Sequence, residues 1–280
     1  MDSTQAIQFC KISIFARDDV TPPFFIGSQI RGALGYALKS IVCAERQGDC
    51  KGCKCSDSCA YFDCYERKNV YHNFRLDFKL GMPRYDFSLY LFGEALENAP
   101  IFIASLHKML CEMGLKSSGN KLLFKDIIML VNDRFCFCGG DIQMPLEFGQ
   151  TFVINDFATN VKLRLITPLR IKKHNLFIRN GCVLELRYII NSIYQRKLAI
   201  LGKERARAGE FSGKILSQNL RYIDTYRKSS TQQTNMNLGG LMGEIIVRDL
   251  DKQSYELLKL GELIGVGKQC AFGLGKIEIL

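Results

Sequence analysis

The chain has 280 residues, 47% of them hydrophobic, with 12 cysteines and a formal net charge of +10. That length and apolar content are enough for one large core or two small ones. No apolar leader follows Met1-Asp-Ser-Thr and no run of about 18 apolar residues occurs, so a soluble cytoplasmic protein is expected.

The charge is uneven. Residues 1–157 carry 17 Lys/Arg against 18 Asp/Glu, whereas residues 158–280 carry 21 against 10. The stretch from Val161 to Lys228 alone holds 16 basic and 4 acidic residues. Basicity concentrated in one half is the electrostatic footprint of a nucleic-acid binder. A membrane surface is the weaker alternative, because no helix shows one clean basic face.

Phe9, Ile12, Ile14 and Phe15 predict an opening strand, which Thr21-Pro22-Pro23 ends. From Gly27 to about Ala44, apolar residues at Ile30, Leu34, Ala37, Leu38 and Ile41 predict a helix. Arg31 and Lys39 are eight positions apart and share its polar side. Gly32 and Gly35 cost about 1 kcal/mol each against alanine in a helix, so close packing or ligand approach is expected there.

Six cysteines then crowd between Cys43 and Cys64. The spacing Cys43-x6-Cys50-x2-Cys53-x5-Cys59 suits a tetrahedral thiolate site in a reducing compartment. Zinc in a structural role is the first expectation and an iron–sulfur cluster the alternative. Reduced cysteines packed as small hydrophobes suit Cys10, Cys111 and Cys182 better than this polar segment.

Beyond it, Phe74–Lys79 and Phe87–Phe92 alternate as strands, 100–115 reads as a helix, and 122–131 and 147–154 read as strands. In the basic half, 161–171 alternates Val161, Leu163 and Leu165 with Lys162 and Arg164, the pattern of a half-buried strand with a positive outer face. Lys172-Lys173-His174-Asn175 predicts a turn. A helix over 181–201, strands over 220–228 and 238–247, a helix over 251–263 and a terminal strand follow. The order predicts an α+β protein of two tandem ferredoxin-like (βαββαβ, RRM-like) domains, 1–157 and 158–280. The first carries a cysteine-rich insertion over 43–64, the second a glycine-rich loop over 265–275.

Five glycines fall between Gly261 and Gly275, with Lys268 and Lys276 among and just after them. Glycine permits positive φ and close approach of a ligand. Successive exposed amides beside lysine would form a concavity for phosphate. The spacing is neither a nucleotide P-loop nor a dinucleotide fingerprint, since here a helix precedes the loop and a strand follows it. A flexible solvent hairpin is the bland alternative.

The run Gly265-x-Gly267-Lys268-x3-Phe272-Gly273-x-Gly275, between a helix and a closing strand, resembles the signature of the RAMP superfamily, the RNA-binding proteins of CRISPR systems. Asn237-Leu238-Gly239-Gly240-Leu241-Met242-Gly243 and Thr167-Pro168-Leu169-Arg170 resemble its repeat-RNA-processing branch. Some members carry a similar cysteine cluster after the first helix. The resemblance implies a precursor crRNA endoribonuclease acting without a catalytic metal. The 2′-hydroxyl would attack, leaving 5′-hydroxyl and 2′,3′-cyclic phosphate ends. It implies CRISPR repeat RNA as partner, and other CRISPR effector subunits as further ones. RNA-contacting candidates are Arg170, Lys172, Lys173 and Arg227, with Gly265, Gly267, Lys268, Gly273, Gly275 and Lys276 of the loop.

Metal-free cleavage needs a base, a stabiliser of the phosphorane charge and an acid. Histidine is the usual acid–base residue, and the chain has only His72, His107 and His174. The resembled family often places its histidine on the first helix, where this chain has none, while some members rely on lysine and tyrosine. Tyr36 and Lys39 are therefore candidates by position, with Arg31 as the phosphorane clamp; a solvated helix face is the alternative. The missing histidine also supports a second reading, a non-catalytic RAMP subunit that holds guide RNA.

Overall fold

The alternating apolar residues of Gln8–Ala16 form β1, whose Cys10, Ile12 and Ile14 are fully buried. The computed structural model describes residues 6–43, 50, 52–117, 120–179, 183–228 and 235–280. The chain divides into two units, Met1–Phe152 and Val153–Leu280, so the division falls five residues before the expected boundary.

In the first unit β1 leads to α1 (Gly27–Val42), which buries Ile30, Leu34, Ala37 and Leu38 as its spacing predicts but leaves Ile41, in its last turn, exposed. β2 (Phe74–Asp77) and β3 (Asp86–Phe92) follow, then α2 (Glu94–Glu97) and α3 (Ala99–His107). The expected helix over 100–115 changes character after His107, where Lys108–Met113 continues as a π-helical turn ended by Gly114 at φ +74°. A small hairpin, β4 (Leu115–Ser117) and β5 (Asn120–Leu122), precedes β6 (Ile127–Val131). The expected strand over 122–131 is thus divided. β7 (Arg134–Phe137) and the two-residue β8 (Gln150–Thr151) complete the sheet, whose order is β2-β3-β1-β6-β7 with β8 on β1. α1 and α3 pack together.

The second unit opens with β9 (Val161–Leu169) and a short hairpin of β10 (Lys172–Lys173) and β11 (Leu176–Phe177). α4 spans Leu186–Ile200, starting five residues later than expected, and buries Ile189, Ile190 and Ile193. β12 (Lys214–Ile223) begins six residues earlier than its pattern suggests. A bulge between Ile215 and Ser217 breaks the alternation and leaves Leu216 exposed. β13 (Tyr226–Lys228) and β14 (Asn235–Asn237) pair as an extension. β15 (Gly240–Arg248), α5 (Lys252–Ile264) and β16 (Ile277–Ile279) close the chain. α5 is capped by Asp251, whose carboxylate accepts from the Ser254 amide at 2.7 Å. The four-stranded sheet runs β12-β15-β9-β16, and α4 packs on α5.

Both units therefore share one order, strand-helix-strand-strand-helix-strand, and one sheet arrangement: the first strand sits between the third and the fourth, and the second is at the edge. No helix among the described residues is long and apolar enough to cross a membrane.

Candidate nucleic-acid interface

Three stretches far apart in sequence meet at the end of β9. The Gly275 amide donates to the Pro168 carbonyl at 3.1 Å, the Lys276 amide to Thr167 Oγ1 at 2.9 Å, and the Lys268 amide to the Arg170 carbonyl at 2.9 Å. Arg170 in turn donates through Nη1 to the Gly239 carbonyl at 2.5 Å, and Leu241 pairs with Leu169. Residues 167–170, 237–243 and 265–276 thus form one cluster.

The glycine-rich loop is built differently from the open concavity its composition suggests. Gly265, Val266, Gly267, Gly273 and Gly275 are all buried. Their amides are satisfied within the fold: Gly265 on Gly261, Val266 on Gly275, Gly267 on Ser192 Oγ at 2.8 Å, Gly273 on Cys270 and Gly275 on Pro168. A Cβ on Gly275, at φ +72°, would lie 1.8 Å from the Val266 carbonyl oxygen. One on Gly267 would lie 2.5 Å from that of Arg170. Close backbone approach explains these glycines, and the backbone they approach is the protein's own. What the loop turns outward is Lys268, with Gln269 and Lys276 half-buried. Partial burial pushes the Lys268 pKa down, and the positive charges of Arg205 and Arg196 add to that.

Beside this cluster, His174 and Asn175 both adopt left-handed φ, 50° and 63°, the geometry of a tight hairpin turn between β10 and β11. The hairpin carries exposed Lys172 and half-buried Lys173, with His174, Asn175 and Leu176 exposed at its tip. Lys172 Nζ lies 5.1 Å and the Arg170 guanidinium 4.2 Å from the Phe177 ring centroid. Arg170 is only 7% exposed, and burial, then Arg179, pulls its pKa down. Lys173 is paired to Glu185 at 3.1 Å, which also holds Arg187 at 2.8 Å. Arg227 belongs to β13, and its side chain lies outside the described residues.

The candidate catalytic residues lie on α1 of the first unit. Tyr36 is 63% exposed, and nothing comes within 4 Å of a Cβ built on Gly32, one turn earlier. That face is bare. The adjoining stripe, Arg31, Gly35 and Lys39, is covered by the cysteine-rich segment, whose Ala60–Glu66 turn carries Tyr61 and Tyr65. The Tyr65 hydroxyl donates to the Arg31 carbonyl at 3.0 Å, and its ring fills the space a Gly35 Cβ would need, 2.6 Å away. The Arg31 guanidinium stacks 4.4 Å from the Tyr65 centroid and donates to the Cys64 carbonyl at 3.4 Å. Arg31 therefore has partners inside the fold.

Of the cysteines, Cys50 and Cys53 are joined by a turn in which the Cys53 amide donates to the Cys50 carbonyl at 3.4 Å across Gly52 at φ +77°. Cys50 has the Cys43 and Cys59 thiols in electrostatic range, and its pKa is raised, burial first. The residue types, a Cys-x2-Cys turn with further cysteines in the same segment, fit the donor chemistry of a soft metal. Among the described residues no three such side chains close on a single point, and residues 44–49 and 51 of the segment lie outside the description. The histidines are scattered. His107 meets Phe137 edge-on at 4.7 Å, His72 lies 5.8 Å from Phe74, and His174 is at the hairpin tip.

Tyr61, Tyr65 and Ser192 are the residues the sequence reading missed. A Tyr-x3-Tyr spacing opposite Arg31, Gly35 and Lys39, themselves spaced by four, was the available signal for the first two.

Comparison with known proteins finds similarity both in sequence and in fold. Residues 163–277 match the family described as CRISPR-associated endoribonuclease Cas6, and residues 6–133 match a family described as an N-terminal domain. No curated protein sequence matches the chain. Among solved structures, one Cas6 product complex aligns with 98% of this chain and 99% of its own at 15% identity and a TM-score of 0.56. A second Cas6 product complex aligns with 99% and 100% at 16% identity and a TM-score of 0.55. A Cas6-related protein from Pyrococcus furiosus aligns with 98% of each chain at 11% identity and a TM-score of 0.51. The resemblance to the repeat-RNA-processing branch of the RAMP superfamily therefore holds, by sequence over residues 163–277 and by fold over nearly the whole chain.

Proposed function

We propose that this cytoplasmic protein binds CRISPR repeat RNA and cleaves the precursor transcript by attack of the RNA's own 2′-oxygen. The observation that carries the reading is the match of residues 163–277 to the Cas6 endoribonuclease family. The two Cas6 structures described above are product complexes, which supports RNA as the ligand of this fold. Other CRISPR subunits are further partners, since another structural match is a partial Cas6-RT-Cas1–Cas2 complex.

RNA phosphates meet Lys172, Lys173, Lys268, Lys276 and Arg227. Arg170 and the buried glycines Gly265, Gly267, Gly273 and Gly275 act mainly by holding those lysines in place. At the first unit, the bare face at Gly32 admits the RNA backbone beside Tyr36 and Lys39. The base takes the 2′-hydroxyl proton, and the 2′-oxygen forms a new bond to phosphorus. The bond from phosphorus to the 5′-oxygen breaks, and that oxygen receives a proton. The products are a 2′,3′-cyclic phosphate and a 5′-hydroxyl, and no water is consumed. Tyr36 and Lys39 carry the proton transfers. The ammonium also stabilises the dianionic phosphorane, and Arg31, at the other end of the same stripe, adds its field.

Cys43, Cys50, Cys53 and Cys59 would be the ligands of a zinc ion, which would have a structural part and enter no step. An iron–sulfur cluster is the other group these thiolates suit.

The test is incubation of the metal-loaded protein with end-labelled cognate repeat RNA in EDTA at a concentration that leaves the cluster intact. A single cut with a cyclic phosphate end is expected. Tight binding with intact RNA would establish instead the second reading, a guide-RNA-holding subunit, which the absence of histidine from α1 favours.

A further inference from the structure

The cysteine-rich segment lies along the α1 stripe that carries Lys39, and it does so through a ladder of rings. Phe74 of β2 stacks on Tyr65 at 5.9 Å, and Tyr65 stacks on Tyr61 at 5.3 Å with the planes only 4° apart. Lys39 Nζ lies 5.3 Å from the Tyr61 ring centroid. The far edge of Tyr61 is fixed as well, its hydroxyl donating to Glu66 Oε1 at 3.1 Å. The ladder is registered against the helix, because the Tyr65 ring occupies the place of a Gly35 side chain and its hydroxyl reaches the Arg31 carbonyl. Rows of residues spaced by four therefore face each other, Arg31-Gly35-Lys39 against Tyr65-Tyr61.

A lysine has four rotatable bonds, and an exposed one samples many rotamers. An ammonium held over an aromatic face is attracted by the ring's negative π face, which favours one orientation over several. We infer that Tyr61 is a positioning residue for Lys39: the cysteine-rich segment presents the Tyr61 ring as a rest that aims the ammonium along α1 toward the bare face at Gly32 and Tyr36. The inference rests on the proposed role of Lys39 in cleavage. It gives the insertion a part in the chemistry without any cysteine touching RNA.

The experiment is a double-mutant cycle read by single-turnover cleavage at saturating protein, with RNA affinity measured separately. Tyr61→Leu removes the ring and is expected to slow cleavage about tenfold, since small misplacement of a reacting group is costly, while affinity stays within about twofold. Tyr61→Phe keeps the ring and is expected to restore most of the rate. In a Lys39→Ala background, Tyr61→Leu is expected to cost nothing further. Slow Lys39→Ala beside a normal Tyr61→Leu overturns this inference alone, as does a Tyr61→Leu penalty of equal size in both backgrounds. A normal rate for Lys39→Ala overturns the catalytic reading of that residue first, and this inference with it. If Tyr61→Leu does not fold, the wild type decides by NMR with labelled lysine, assigned through Lys39→Arg. An upfield ring-current shift of the Lys39 ε-methylene supports the contact, and ordinary shifts overturn it.

Discussion

The amide of Lys268 donates to the carbonyl of Arg170 at 2.9 Å, and that bond joins the glycine-rich loop to the end of β9. The Arg170 side chain continues the link to Gly239. A main-chain junction of this kind means that the glycines serve the packing of the second unit, and that of the proposed RNA contacts only the basic side chains are left facing outward.

Gly275→Ala should therefore act on folding. Its φ of +72° and the 1.8 Å approach of a Cβ to the Val266 oxygen leave no compatible arrangement without moving backbone. The strain alone is about 1–3 kcal/mol, so thermal unfolding should shift down by roughly 5 °C or more. RNA affinity per folded molecule should change little by comparison. Normal melting with lost RNA binding would return the loop to the ligand-facing concavity its composition suggests.

Arg170→Ala should destabilise as well, by about 2 kcal/mol, because it removes a charged hydrogen bond to Gly239 and leaves that carbonyl without the guanidinium. Lysine should come close to no rescue, since it cannot both stack on Phe177 and reach Gly239 with a planar fork. Urea unfolding of the three proteins checks this.

Lys173 should differ from its hairpin neighbour Lys172. Lys172→Ala should lower the salt slope of log K for RNA by about one unit, as should Lys268→Ala. Lys173→Ala should lower it less, because Glu185 already neutralises that ammonium at 3.1 Å. Titrations at several salt concentrations measure all three, and equal slopes throughout would place the RNA elsewhere.

Gly32 and Gly35 of α1 should respond with opposite signs. Gly32→Ala meets nothing within 4 Å and should raise stability by up to about 1 kcal/mol through helix propensity. Gly35→Ala must displace the Tyr65 ring, 2.6 Å away, and should cost about 1–2 kcal/mol. If RNA lies on the bare face, Gly32→Ala should also slow cleavage while the protein melts higher. Paired melting curves and cleavage rates separate the two effects.

Alkaline stability should report on Tyr255. Burial, with a hydrogen bond to Asp156 at 2.8 Å, raises its phenol pKa to about 12 from an ordinary 10.0. The unfolded chain releases that proton more readily, so the contribution is fully present below pH 10 and is lost as pH rises toward 12. Tyr255→Phe should show a shallower fall in melting temperature over that interval.

Much of this protein was legible from local pattern. The alternation in Gln8–Ala16 and Val161–Leu169, the helical spacing in Gly27–Val42 and Lys252–Ile264, and the basic second half all reflect short-range rules that hold whatever the rest of the chain does. The glycine-rich run likewise announced a site of close backbone approach. What approaches it was not legible. That Gly267 presses on Arg170, and that Gly35 makes room for Tyr65 while Gly32 faces nothing, depends on contacts across tens of residues. Glycine states only that a side chain is absent. Tertiary packing decides whether the space is filled by the protein itself, as at Gly275, or left bare, as at Gly32.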